Sequence, residues 1–318
     1  DNPYEKFALR DWERVHQLYQ RHKFRDARRL LVGGDGKASG TVLGTMMEYL
    51  PDSESAIRTL ARILHCYELW DAGLYNEAAD QARTIDGFQP PTAVERLDGK
   101  WFEIGQTRFE GGLAKFYEDT SEFQAYVYDE LARIDRLIRF NHDYRSAFLR
   151  AGSLNEVVMV ARLVRLVGND PKKPDLIKAL QERTPRASSL FEQLSKPAGN
   201  NFEIGKDIRI SKTAPKITVS LATPMKHFWL QLDNNLFNTP EGWRDLIHRR
   251  NDLAHQYYSP PPKWAEDALN FVRANVEDFW EANAGKNLET QALPWSKVCQ
   301  LTGLGEYLPP NLLGDVSD

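Results

Sequence analysis

Ile63-Leu64-His65-Cys66-Tyr67-Glu68-Leu69-Trp70, followed after a short break by Tyr75-Asn76-Glu77-Ala78, is the stretch that decides the fold. Its apolar positions recur with the 3.6-residue period of a helix, and the aromatic-x-x-Ala step opens a second one. An alanine at that step lets the first helix approach closely, so the segment reads as a helical hairpin. The same order occurs upstream, from Trp12 through Leu18-Tyr19 to Phe24-Arg25-Asp26-Ala27. It occurs again downstream, from Leu137-Ile138 through Phe140 to Tyr144-Arg145-Ser146-Ala147. A degenerate repeat of this kind predicts a mostly α chain, with irregular helical hairpins over residues 1–150.

The unit resembles tetratricopeptide-type hairpins, although its irregular spacing argues against a regular array. Cys66, among Ile63, Leu64, Tyr67 and Leu69, reads as a small buried hydrophobe. Gly33-Gly34-Asp35-Gly36 is a loop and not a phosphate loop, since no strand precedes it and no Gly-Lys-Ser/Thr follows. From residue 151 the character shifts, and residues 151–318 read as a second, helical domain. Ile208, Ile210, Ile217, Val219 and Leu221 alternate around Lys212-Thr213-Ala214-Pro215, which predicts one small β-hairpin. With so little strand signal, a Rossmann-type nucleotide domain is excluded.

Thr239-Pro240-Glu241 then supplies an N-cap, a first-turn proline and a first-turn acid, opening a helix that runs to about Tyr258. Ser259-Pro260-Pro261-Pro262 stops it. A last long helix follows from Trp264 through Phe279-Trp280, and the Pro- and Gly-rich tail from Leu293 is expected to drape over the surface.

The formal net charge of −4 excludes a protein that coats nucleic acid non-specifically, so any such contact is a local cleft. Two cysteines without Cys-x-x-Cys spacing exclude a disulfide framework or structural zinc and make a reducing cytoplasm the expected location. Asp233 and Glu241 are scattered carboxylates without metal spacing, so no cofactor or metal is expected. No apolar run of spanning length or secretory pattern points to a membrane. The chain begins with Asp1, as a piece of a longer polypeptide would.

Arg249-Arg250-Asn251-Asp252-Leu253-Ala254-His255 is the stretch with chemistry in it. Cleaving RNA without a metal requires a base for the 2′-hydroxyl, charge stabilisation on the phosphorane and an acid for the leaving oxygen. Histidine titrates near neutrality and can serve as base or acid, and arginine offers phosphate a fixed fork of donors. Arg-x4-His alone is weak, because similar pairs occur at Arg10/His16, Arg58/His65 and Arg136/His142. Context separates this one. Trp243, Leu246, Ile247, Leu253, Ala254 and Tyr257 form one stripe with Arg250 at its centre, where a lone cation needs a partner or a job. Asn251 lies one turn before His255 and can orient the imidazole. Five residues nevertheless rotate about 140°, so Arg250 and His255 do not share a face of a regular helix. Either the helix distorts, or two copies face each other across a symmetric dimer. The bland alternative, an ion-paired Arg250 and a helix-end His255, stays open on the residues alone.

Arg250-Asn251-Asp252-Leu253-Ala254-His255 resembles the Arg-Asn-x-x-x-His signature of HEPN ribonucleases. With Asn2-Pro3-Tyr4 and the hairpins, the chain more specifically resembles the HEPN-containing part of CRISPR-associated CARF–HEPN effectors of type III systems. The resemblance implies that Arg250 and His255 carry catalysis with Asn251 in support. It implies a metal-independent, homodimeric cleavage of single-stranded RNA. The cyclic-oligoadenylate sensor of that family has no βαβ counterpart here and would lie outside this chain. Arg244, His248 and Arg249 share the motif helix and are the candidate RNA phosphate contacts. Arg133, Arg136, Arg139, Arg145 and Arg150 are a weaker candidate, or a solvated face. The rival function is a catalytically silent helical-repeat interaction module.

Overall fold

The structure, a computed structural model, describes residues 3–34, 40–99, 120–167, 208–210, 217–219, 246, 249–250, 252–255, 259–280 and 291–314. These residues are mostly helical. They fall into two compact units, Asp1–Gly99 with Thr290–Asp318, and Lys100–Glu289.

The first unit is built from α1 (Pro3–Gln20), α2 (Phe24–Val32), α3 (Val42–Tyr49), α4 (Glu54–Asp71), α5 (Tyr75–Arg83) and α6 (Thr92–Leu97). The hairpin signal reads through directly. Phe24 and Ala27 open α2, Tyr75 and Ala78 open α5, and all four are buried. Both turns close with a left-handed residue two positions before the aromatic, His22 (φ 53°) and Gly73 (φ 81°). The next amide then reaches back five residues, Lys23 N–H to the Leu18 carbonyl at 2.8 Å and Leu74 N–H to Leu69 at 2.9 Å. That is the Schellman way of satisfying the last carbonyls of a helix. Cys66 is buried as expected and donates its thiol to the Ala78 carbonyl at 3.3 Å, joining α4 to α5.

The tail corrects the sequence reading. It folds as a helix, Trp295–Thr302, and two 3-10 turns, and does not drape over the surface. Trp295 is only 1% exposed, stacks on His16 at 5.0 Å, and donates its indole N–H to the Leu312 carbonyl at 2.7 Å. Just before it, Leu293 accepts from the Tyr19 hydroxyl and donates to that of Tyr67. The C-terminal segment therefore completes the core that the first hairpins begin.

The second unit contains α7 (Thr120–Arg139), α8 (Tyr144–Val167) and α9 (Pro262–Trp280), with the C-terminal helix Trp295–Thr302 counted as α10 of the first unit. The third hairpin copy joins α7 to α8. Its left-handed residue is His142 (φ 52°), and Ala147 is buried while Tyr144 is only half-buried. Here Asp143 N–H reaches Leu137, six residues back, so the turn is one residue longer. The core is Phe123, Val127, Leu131 and Ile134 of α7, Phe148 and Leu154 of α8, and Val272, Val276 and Phe279 of α9. A boundary at residue 150 falls inside α8, and the chain divides near residue 100 instead. The reason is packing: α7 and α8 bury their faces against α9, more than a hundred residues downstream.

Ile208–Ile210 and Ile217–Val219 pair antiparallel, with Ile208 opposite Val219. The residues between them lie outside the described ones, so a connected hairpin is not shown. Among the described residues no helix is long and apolar enough to cross a membrane.

Candidate active site

Helical backbone is present at Leu246, at residues 249–250 and at residues 252–255, the described part of the motif segment. Leu246 and Leu253, seven residues apart and therefore on one face, are both buried in the core of the second unit. Arg250 lies between them on that stripe and is half-buried. Ala254, expected in the stripe, is exposed, as are Asp252 and His255. The apolar stripe is therefore narrower than the sequence reading made it. His255 stays on the solvent side, and Arg250 and His255 of one chain are not brought to a common face.

Three residues outside the motif hold this segment in place. Gly152 of α8 is the first. A Cβ at that position would lie 2.8 Å from Cγ and 3.3 Å from Cβ of Arg250, so the stem of Arg250 rests where only glycine leaves room. The second is Arg145, whose Nη2 donates to the Leu253 carbonyl at 2.9 Å. That bond satisfies a carbonyl near the end of the segment with a cation, the charge such an end favours. The third is Trp264 of α9, with the Arg249 guanidinium 4.4 Å above its ring centroid. A cation over an indole face is held electrostatically by the ring.

The sequence reading did not give any of the three this role: Gly152 was passed over, Arg145 was one of five arginines weighed for RNA or a solvated face, and Trp264 only opened a helix. Gly152 had a signal, since a glycine inside a strongly helical run costs about 1 kcal/mol and points to a close approach. Arg145 carried no signal for this contact, because its partner is 108 residues away.

Of the other candidates, Asn251, Arg244, His248, Asp233 and Glu241 lie outside the described residues. Arg249 was expected at a phosphate. Its guanidinium lies instead over the Trp264 ring. The arginine-rich stretch is neither an RNA surface nor a solvated face as a whole. Arg133 and Arg136 are buried; Arg133 pairs with Asp129 at 3.0 Å and with Glu130. Arg150 also binds Glu130, at 3.0 Å, and Arg139 binds Asp135 at 3.1 Å. These charges tie α7 to α8 or pair along α7. His142 bonds Tyr144 at 3.2 Å.

The competing Arg/His pairs also separate. His16 is buried against Trp295 and so cannot meet a substrate, whereas Arg58 and His65 line a concavity in the first unit. Among the described residues no grouping of His, Cys, Asp and Glu suits a metal ion. No protein-family model matches the chain, and no curated protein is significantly similar to it.

Proposed function

We propose that this chain is a metal-independent endoribonuclease of the HEPN type, cleaving single-stranded RNA to 2′,3′-cyclic phosphate and 5′-hydroxyl ends. The HEPN-like domain would lie within the second unit and include a small hairpin over residues 208–219. By its resemblance, the chain would act in CRISPR type III antiviral defence, downstream of a sensor carried elsewhere. The observation that carries the reading is Arg250, a cation on a buried stripe, seated in space that α8 leaves by having Gly152. That seat fixes the stem of Arg250, as a guanidinium that must hold a phosphate requires, and His255 stands exposed five residues on.

In the proposed reaction the 2′-oxygen attacks phosphorus and the bond to the 5′-oxygen breaks. Arg250 stabilises the charge on the non-bridging oxygens, and His255 takes the 2′-hydroxyl proton or protonates the leaving oxygen. Asn251 supports the imidazole, and Arg244, His248 and Arg249 hold neighbouring phosphates. Because one helix presents Arg250 and His255 about 140° apart, the working site is a cleft between two copies related by a two-fold axis.

The test incubates the chain with single-stranded RNA in EDTA, with sensor and activator supplied. Arg250→Ala and His255→Ala should each lower cleavage about a hundredfold or more. Light scattering should give twice the 36.5 kDa chain mass. Equal cleavage by wild type and His255→Ala, or none by any form, sinks the reading and leaves the interaction module. The cover that Trp264 gives Arg249 is the observation on that module's side.

A further inference from the structure

The first unit carries a concavity of about 440 Å³ lined by α2, α4 and α5. Ser55, Arg58, Arg62 and His65 recur at three- and four-residue steps, so they occupy one face of α4. Arg28 and Val32 face them from α2, and Gln81 closes the side from α5. No carboxylate lines the space.

The acids nearby grip the arginines from behind. Arg28 is bound through Nε to Glu68 at 2.8 Å, and Arg58 through Nε to Glu54 at 2.7 Å. Both bonds leave the terminal nitrogens their donors. Arg62 is anchored by Nη1 to the Thr84 carbonyl and by Nη2 to Thr59 Oγ1, and each nitrogen retains a second hydrogen. His65 Nδ1 is 3.6 Å from Glu68, beyond hydrogen-bond reach, and is buried without a hydrogen-bond partner. Three guanidinium charges against two touching carboxylates leave one positive charge uncompensated.

We propose that this concavity is a binding site for a small phosphate-bearing molecule, a phosphomonoester or diphosphate, held by Arg28, Arg58, Arg62 and His65. Arg28 and Arg58 keep their terminal nitrogens and Arg62 one hydrogen on each of its own, more donors than the two oxygens of a carboxylate take up. A terminal phosphate offers three oxygens and matches planar guanidinium groups bidentately. The lining has no Phe, Tyr or Trp, so it lacks the broad platforms on which successive unstacked RNA bases are held. The site lies within the first unit and does not depend on the ribonuclease reading.

The experiment titrates the full chain with inorganic pyrophosphate by calorimetry at low salt. Saturable binding is expected, weakened about tenfold or more in R58Q/R62Q, the usual size of lost charged hydrogen bonds. R83Q is the control, since Arg83 pairs with Asp80 and Asp98 and does not line the site. Circular dichroism checks the fold of each variant, and R58Q alone, at a largely exposed position, serves if the double variant is damaged. A 5′-mononucleotide should displace pyrophosphate and its nucleoside should not. The proposal is overturned if pyrophosphate does not bind at millimolar concentration, or binds R58Q and wild type alike. Stronger displacement by an Asp/Glu hexapeptide or by an RNA decamer also overturns it, in favour of a protein or RNA ligand.

Discussion

Glu68 sits among two guanidinium groups and an imidazole: Arg28 at 2.8 Å, with Arg25 and His65 each at 3.6 Å. Burial pushes its carboxyl up, but the hydrogen bond and charge of Arg28, and then His65, outweigh that and hold it below its ordinary 4.5. A carboxyl whose folded value is depressed stabilises the fold above its unfolded value. That contribution is lost as pH falls from about 4.5 through the folded value. Glu68→Gln should therefore cost on the order of 1 kcal/mol at neutral pH, because a partly exposed charge pair is screened. The cost should vanish in acid, where wild type and variant converge. Urea midpoints at pH 7 and pH 3 check this, and a constant difference between them would refute it. Cys66 illustrates the opposite pressure, since burial alone pushes its thiol up to about 12 and keeps it a protonated, unreactive donor.

At the scale of elements, the aromatic-x-x-Ala step was legible because it is local: the residues that close each turn lie within one short window. Even there the sequence hid one regularity. The left-handed position is glycine in one copy and histidine in the other two, so composition did not mark it. The seat of Arg250 was not legible, since it depends on α8 crossing a helix a hundred residues away. That crossing reverses an ordinary expectation. Glycine to alanine inside an exposed helix gains about 1 kcal/mol. Gly152→Ala instead pushes a methyl into the stem of Arg250, near the backbone where the side chain cannot swing aside. Overpacking of this kind should cost about 1–3 kcal/mol net and lower RNA cleavage with it. Ser153→Ala, at the exposed neighbour, is the control. Stabilisation by Gly152→Ala would show that α8 and the motif segment do not press together.

For the whole molecule, the sequence led to a division at residue 150, because hairpin periodicity fades there. Periodicity reports which residues are buried but not against what, and α8 buries its face on α9 while the last residues return to α1 and α4. Proline and glycine in the tail hid that return by looking like a surface segment. Trp295 shows what the return contributes. It stacks on His16, meets Tyr19 at 5.1 Å, and its indole N–H is satisfied by Leu312, so both its apolar body and its polar edge are used. Trp295→Ala should cost about 3–5 kcal/mol, as for a fully buried aromatic. The loss should be confined to the first unit. Urea unfolding followed by a probe near His16 should move to a lower midpoint, while one near Phe148 and Trp264 should not. If both probes keep the wild-type midpoint, the tail is a surface segment after all and the first unit stands without it.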